Sequence, residues 1–524
     1  MPRMTLKQII EYEDNFPSLL RCLDPSLDLI SRLRSVPFLK DRIHFIDERL
    51  MDDDKINALL AVLLQVPDNI QKSVMDSFIN ALRLSGQEHV ANIFRRESEK
   101  VPMSDEHYRT LTLNTGQLCK FIDPENGLLD KLVDAQVLRY TDAARVRAVT
   151  LYHEKARKMI AILTKKSDDT FDGFINALNQ TGHSHVTHIL TGEGDNRPLK
   201  EEHRHRLLAN ERPYLVRIVD SRSSGLLSTM MSKGVFSEYD QQRVSSVQPD
   251  TTDNRNEIIL DLIARKSQSD FFHFILALND TDQTHVVISL IGVDVGAKIT
   301  TVYVSGADVR HIPYVDAELL EYMQYMFQTD GGVMRKLNDR LSYHGVSVTD
   351  VREGCIEVTF TCERVKSLRN FRNLYLSGNL ERMLNDAFCS QFASKGLKSL
   401  KLVISNKEFE RCEDMFAQWM PMTSEHHRTL LSSEEWLVGK MRVSGDLLDK
   451  LSLCRRRRQA IKQAATREQK VKTLIDIISR QPDSAFTQLL NALKDTNQFE
   501  AVDVIRRAAE LHLPGKSVFF SYQT

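Results

Sequence analysis

Phe171-Asp172-Gly173-Phe174-Ile175-Asn176-Ala177-Leu178-Asn179-Gln180-Thr181-Gly182-His183 decides the fold. Phe171, Phe174, Ile175 and Leu178 fall at i, i+3, i+4 and i+7, which lines one helix face with apolar side chains and predicts a core-facing helix. The stripe occurs three more times, at Met75/Phe78/Ile79/Leu82, Phe271/Phe274/Ile275/Leu278 and Phe486/Leu489/Leu490/Leu493. Phe78, Leu82, Phe174, Leu178, Phe274, Leu278, Leu489 and Leu493 are the predicted core residues of these four helices. Each stripe is followed by Ser85-Gly86-Gln87, Thr181-Gly182-His183, Thr281-Asp282-Gln283 or Thr496-Asn497-Gln498. Gly, Asp and Asn enter the left-handed region most easily, so a shared helix-closing turn is expected.

Other features recur around the stripe. A short apolar helix follows it (Val90/Ile93/Phe94, Val186/Ile189/Leu190) and an amphipathic one precedes it (Ala156/Met159/Ile160/Leu163, Val471/Leu474/Ile475/Ile478). Upstream stands a Glu-His pair, at Glu106-His107, Glu202-His203 and Glu425-His426. About six short helices in a unit of roughly 90 residues can enclose a core of their own. Solenoid repeats recur at roughly 34 to 47 residues, whereas Phe78, Phe174 and Phe274 lie much farther apart. Linkers are expected at Glu97 to Met103, Gly192 to Pro198, Gly292 to Ala297 and Gln418 to Thr423.

From about Lys298 to Cys412 the rhythm changes. Ile299 to Val304, Val346 to Val351, Cys355 to Thr361 and Leu400 to Ser405 read as strands, with Arg352-Glu353-Gly354 as a hairpin turn. Helices are expected at Asp316 to Phe327, Val333 to Tyr343, Arg364 to Leu376 and Leu380 to Ala393. An antiparallel sheet covered by helices, an α+β sandwich, follows.

Composition narrows the function. In 524 residues, 70 Lys and Arg balance 71 Asp and Glu, so no whole-chain field attracts nucleic acid or an anionic membrane. Seven scattered Cys without a CxxC pair do not suit a disulfide framework, and no apolar run approaches membrane-spanning length, which suggests a cytoplasmic protein. No GxxxxGK[ST] loop, QAC[RQG]G context, GxSxG or HExxH occurs, so neither enzyme activity nor a cofactor is expected.

The stripe, the Asn-Ala-Leu and Thr-Gly-Gln/His turn, and Lys155, Arg255 and Lys470 opening the preceding helix together resemble the caspase recruitment domain (CARD) of the death-fold superfamily. The resemblance implies a mainly α fold of four six-helix antiparallel bundles with one inserted α+β sandwich. Its domains are 5–97 (divergent), 104–192, 199–292 and 423–512 for the CARD-like bundles, 298–412 for the insertion and 513–524 for a tail. The insertion, through Val348-Thr349-Asp350-Val351-Arg352-Glu353-Gly354-Cys355-Ile356-Glu357-Val358, resembles the N-terminal domain of the death-receptor adaptor TRADD. Family likeness implies a non-enzymatic adaptor or scaffold for apoptosis or innate immune signalling. Its partners would be other CARD proteins, namely caspase prodomains, CARD kinases or adaptors, with self-association also open. The rival readings are a decoy that sequesters partner CARDs and a nucleic-acid sensor using the basic fourth repeat.

Two charged clusters are the candidate interaction faces. Arg455, Arg456, Arg457, Arg458, Lys462, Lys470 and Lys472 form a basic face; residues 423–512 hold 16 basic against 12 acidic side chains, and 5–97 hold 12 against 15. Opposite signs would steer CARD pairing; no aromatics interleave the cluster, which disfavours nucleic acid. Reversing Arg455 to Arg458 is expected to abolish partner capture while leaving helicity intact. Asp52, Asp53 and Asp54 form an acidic face or a helix N-terminus stabilised by its dipole. His89, His185 and His285 recur in equivalent places and suggest helix-start or packing roles. His183, His185 and His188 lack the Cys or carboxylate of a metal set. Trp419 and Trp436 are expected to pack across the linker into the last repeat.

Overall fold

The computed structural model describes residues 6–10, 15–47, 52–95, 100–193, 196–209, 211–305, 312–329, 331–352 and 356–512. The chain divides into two compact units, residues 1–200 with 262–271 and residues 201–261 with 272–524. Helix predominates in both, and the second also holds a small antiparallel sheet.

In the first unit, Leu6–Ile10, Asn15–Cys22, Leu27–Leu33, Pro37–Asp47, Asp52–Leu64, Gln71–Leu84 and Glu88–Arg95 enclose one core, with Leu19, Ile43, Leu60, Phe78 and Phe94 buried. Phe78 and Phe94 meet edge to face, with ring centroids 5.3 Å apart. A second set follows: Asp105–Phe121, a kinked turn at Pro124–Leu128, then Leu129–Asp134, Tyr140–Arg147, Tyr152–Leu163, Asp169–Gln180 and Ser184–Thr191. Leu111, Leu132, Val146, Met159, Phe174 and Leu178 are buried along it.

In the second unit, Glu201–Leu208, Arg212–Ile218, Leu226–Ser232, Glu238–Ser245 and Thr284–Ile291 precede the sheet, and helices Thr252–Ile263 and Gln268–Asp280 span the division between the units. After the sheet come Ser424–Lys440, Gly445–Lys450, Arg455–Gln463, Arg467–Ser479, Ser484–Asp495 and Phe499–His512, sharing a core that includes Leu430, Leu474, Leu489 and Leu493.

All four stripe-bearing helices close alike. Gly86, Gly182, Asp282 and Asn497 take φ of +71°, +75°, +57° and +57°. The following amide donates back into the helix at 2.8 Å each time, from Gln87 to Leu82, His183 to Leu178, Gln283 to Leu278 and Gln498 to Leu493.

The sheet has order β2-β3-β1-β4, every neighbour antiparallel, with β1 Val293–Tyr303, β2 Val346–Arg352, β3 Ile356–Cys362 and β4 Leu397–Val403. Val293, Val295, Ala297 and Ile299 point into the core while Asp294, Gly296, Lys298 and Thr300 point outward, the alternation of a sheet covered on one face. Helices Ile312–Gln328, Gly332–Ser342, Val365–Leu376, Asn379–Phe392 and Asn406–Gln418 contribute Leu319, Leu337, Phe371, Phe388 and Phe409 to that core.

Several expectations need correction. Gly292 to Ala297 is not a linker, because Val293 to Ala297 already pairs with β3; likewise β4 starts at Leu397, not Leu400. Glu353, Gly354 and Cys355 of the expected turn and TRADD-like stretch, and the 513–524 tail, lie outside the described residues. Trp419 packs on the sheet domain's core and Trp436 on the last helical core, so they share none.

Gly292 lets helix Thr284–Ile291 pass directly into β1. Its φ of +80° suits glycine, and an added Cβ would lie 2.5 Å from the Cys362 carbonyl oxygen. Gly292→Ala is therefore expected to cost about 2 kcal/mol or more, measured by denaturant unfolding.

Candidate interaction site

The recurring polar residues build two structural devices, the first seen twice and the second three times. The first fastens the start of a helical set to its centre. Ser104 caps Asp105–Phe121, and Asp168 accepts from the Ser104 amide at 2.7 Å and the His107 ring at 2.9 Å. That ring stacks on Phe171, with centroids 4.0 Å apart. In the last set Thr423, His426, Asp483 and Phe486 repeat the arrangement at 2.8 Å, 2.7 Å and 4.1 Å. Burial opposes charge on Asp168 and Asp483, but the hydrogen bonds they accept hold both carboxyls below the usual range. The expected linkers are tied down beside these clamps by Pro102 against Ser167, Pro198 against Ser267 and Pro421 against Pro482. The Glu-His pair and the first stripe residue were thus the two visible halves of one contact.

The second device joins one helical set to the next. Its donor is the second residue of a helix: His89 in Glu88–Arg95, His185 in Ser184–Thr191 and His285 in Thr284–Ile291. Each ring's Nε2 meets a carbonyl oxygen just past the end of another helix: Lys165 at 2.9 Å, Arg265 at 2.8 Å and Arg480 at 2.7 Å. A carbonyl can only accept, so each Nε2 carries a proton and donates it. Burial pushes all three imidazoles down to about 4. The Nδ1 atoms of His185 and His285 are buried without a hydrogen-bond partner, leaving no acceptor for a second proton.

An aspartate stands two residues past the end of an early helix in each set: Asp24 after Asn15–Cys22, Asp123 after Asp105–Phe121 and Asp220 after Arg212–Ile218. The residue after the left-handed turn fixes its backbone: Gln87 binds the Asp24 amide and carbonyl, both at 2.8 Å, His183 the Asp123 amide at 3.2 Å, and Gln283 the Asp220 amide at 2.7 Å. Each aspartate then faces an arginine across the joint. Arg145 reaches Asp24 at 2.8 Å, Arg265 reaches Asp123 at 3.6 Å while its guanidinium covers the Tyr152 ring, and Arg457 reaches Asp220 at 3.0 Å.

Arg457 and Asp220 are both only 1% exposed. Arg457 also donates to Gln481 at 3.1 Å, and Ser223 donates to Asp220 at 2.5 Å. Burial opposes charge on Asp220, yet Arg457 and Ser223 hold its carboxyl below the usual range. Arg480 adds bonds to the carbonyls of Val216, Arg217 and Val219 and ion pairs with Asp253 and Asp476. The sheet and its covering helices lie in sequence between the two sides of this joint.

The predicted basic face therefore divides. Arg457 is an internal ion-pair partner, and reversing the whole Arg455 to Arg458 tract would break this joint as well as alter the surface. Arg458 is half-buried and held by Leu453, Leu451 and Asp449, and Lys470 is half-buried. Arg455, Arg456, Lys462 and Lys472 are exposed. Arg455, Arg458, Gln459 and Lys462, with Leu453, line an open cleft of about 420 Å³. Asp52 is engaged by Lys165 at 3.4 Å, while Asp53 and Asp54, in the same first helical turn, are exposed. Phe78, Leu82, Phe174, Leu178, Phe274, Leu278, Leu489 and Leu493 are all 1% exposed or less. Among the described residues no group of His, Cys, Asp and Glu is placed to hold a metal, and no helix is long and apolar enough to cross a membrane.

A family model, the caspase recruitment domain, matches residues 109–193. No curated protein and no solved structure matches the chain.

Proposed function

We propose that the chain is a non-enzymatic adaptor that makes homotypic CARD–CARD interactions in apoptosis or innate immune signalling, using four CARD-like bundles and an inserted α+β domain. The recurrence of one contact set carries this reading. The matched segment, residues 109–193, has a left-handed turn at Gly182, a clamp from His183 to Asp123 and a joint histidine, His185. The same pieces recur at Gly86, Gln87 and His89 and at Asp282, Gln283 and His285, and the turn and clamp recur at Asn497 and Gln498. Such recurrence supports reading the other three segments as bundles of the same family. Tandem bundles would raise avidity, since short linkers give effective concentrations in the millimolar range once one bundle is engaged.

The test is to immobilise the full chain and titrate isolated CARDs of caspase prodomains, CARD kinases and adaptors, read by interferometry. Saturable binding at micromolar or tighter Kd is expected for at least one of them. Failure of every death-fold domain to bind would overturn the reading. Adding the chain to a caspase-activation assay separates an adaptor, which raises activity over some concentration range, from a decoy, which only lowers it.

A further inference from the structure

We infer that the joint is directional, that the last bundle's outward end is built to refuse a further copy, and that the first bundle's outward end is built to accept a foreign death-fold bundle carrying an Asp/His end. This rests on the bundle reading above and adds polarity and partner chemistry to it. The joint is heterologous: one side supplies an aspartate and a histidine, the other an arginine and a carbonyl. Such an interface has two unlike faces, one on each partner.

At the last bundle, the Asp/His side is reversed in charge. The place held by Asp24, Asp123 and Asp220, two residues past a helix end, is held by Arg442 after helix Ser424–Lys440. The clamp is kept, with Gln498 binding the Arg442 amide at 2.8 Å and its carbonyl at 3.0 Å. The second residue of helix Phe499–His512, where His89, His185 and His285 stand in theirs, is Glu500. Both side chains are exposed, and Arg442 has no carboxylate partner among the described residues. Arg442 would meet an incoming arginine, and Glu500 would aim a carboxylate at a carbonyl, so both positions disfavour a copy of this chain.

At the first bundle, Arg42 and Gln65 stand where Arg145 and Lys165 stand in the second, and both side chains are exposed. Arg42 precedes buried Ile43 in helix Pro37–Asp47 as Arg145 precedes buried Val146 in Tyr140–Arg147. Its guanidinium is exposed over the Phe38 ring at 4.2 Å, with no carboxylate partner among the described residues. Gln65 stands just past helix Asp52–Leu64, as Lys165 does past Tyr152–Leu163, and is likewise exposed. The occupant this end fits is a bundle with an aspartate two residues past an early helix and a neutral histidine opening its last.

The full-length double variant R442D/E500H converts the last bundle's end into that occupant and serves as the probe. By light scattering the native chain should keep one mass on concentration, whereas R442D/E500H should assemble head to tail, and adding R42D should return it to the native mass. A double variant that stays monomeric with native helicity and melting temperature would overturn the inference, as would assemblies that survive R42D or a native chain that assembles through Arg42. Should the double variant lose its fold, R442D alone carries the same two outcomes. Loss of all CARD binding in the interferometry experiment would sink the proposed function yet leave this result standing, so the two failures are distinguishable.

Discussion

Arg457→Ala should destabilise the second unit by about 3–5 kcal/mol, because it leaves the Asp220 carboxylate buried without its counter-charge. Both side chains are 1% exposed, and Asp220 keeps only Ser223 as a side-chain donor once the guanidinium is gone. Arg457→Lys should recover only part of the loss, since one ammonium cannot span Asp220 and Gln481 as the planar guanidinium does at 3.0 Å and 3.1 Å. A joint Asp220→Asn and Arg457→Met change should be milder than Arg457→Ala alone, because removing both charges abolishes the desolvation cost that either one leaves behind. Lys462→Ala, on an exposed side chain of the same helix, should move stability by no more than about 0.5 kcal/mol. Urea unfolding monitored by circular dichroism gives all four values. If Arg457→Ala matched Lys462→Ala, the buried ion pair would not be holding the joint.

The contrast between these neighbours shows what could be read from the chain in advance. The stripe residues announce themselves by period, and the left-handed turns by residue type, because both depend on local backbone geometry. Gly86, Gly182, Asp282 and Asn497 all take positive φ for the reason their chemistry predicts. The sheet was legible to within a few residues except at β1, where the glycines of Gly292-Val293-Asp294-Val295-Gly296 masked the alternation of Val293, Val295 and Ala297. The joints were illegible for a different reason. Arg457 and Asp220 are 237 positions apart, and a run of four arginines gives no local sign of which one turns inward. Spacing on the helix supplies a partial sign: Arg457 lies four residues before Ile461, on its buried face. The recurrence of His89, His185 and His285 was a real signal of a shared role, but a carbonyl partner has no side-chain identity and so leaves no sequence trace.

Those histidines make the assembly sensitive to acid. An unfolded imidazole takes its proton near pH 6.5, while burial pushes His89, His185 and His285 down to about 4 in the folded chain. Between those values the unfolded chain binds more protons than the folded one, so their contribution is complete above pH 6.5 and is lost as pH falls toward 4. Each ring can account for up to about 3 kcal/mol across that window, at 1.36 kcal/mol for each pH unit separating its two pKa values. Carboxylates such as Asp220 and Asp168, held below their usual range, contribute stability that is lost lower down, below the ordinary carboxylate range near 4. Loss between pH 6.5 and 5 therefore reports these histidines together with His427, which burial also pushes down to about 4. Glutamine tests the assignment, because its amide can donate to the Arg480 carbonyl as Nε2 of His285 does at 2.7 Å yet cannot titrate. His285→Gln should be less stable than the native chain at pH 7.5, where the imidazole packs better, and its stability should fall less steeply between pH 6.5 and 5. Melting temperatures across that range decide the matter: equal slopes for the native chain and His285→Gln would mean that the imidazole is protonated within the joint, and the neutral, carbonyl-bound ring would have to be given up.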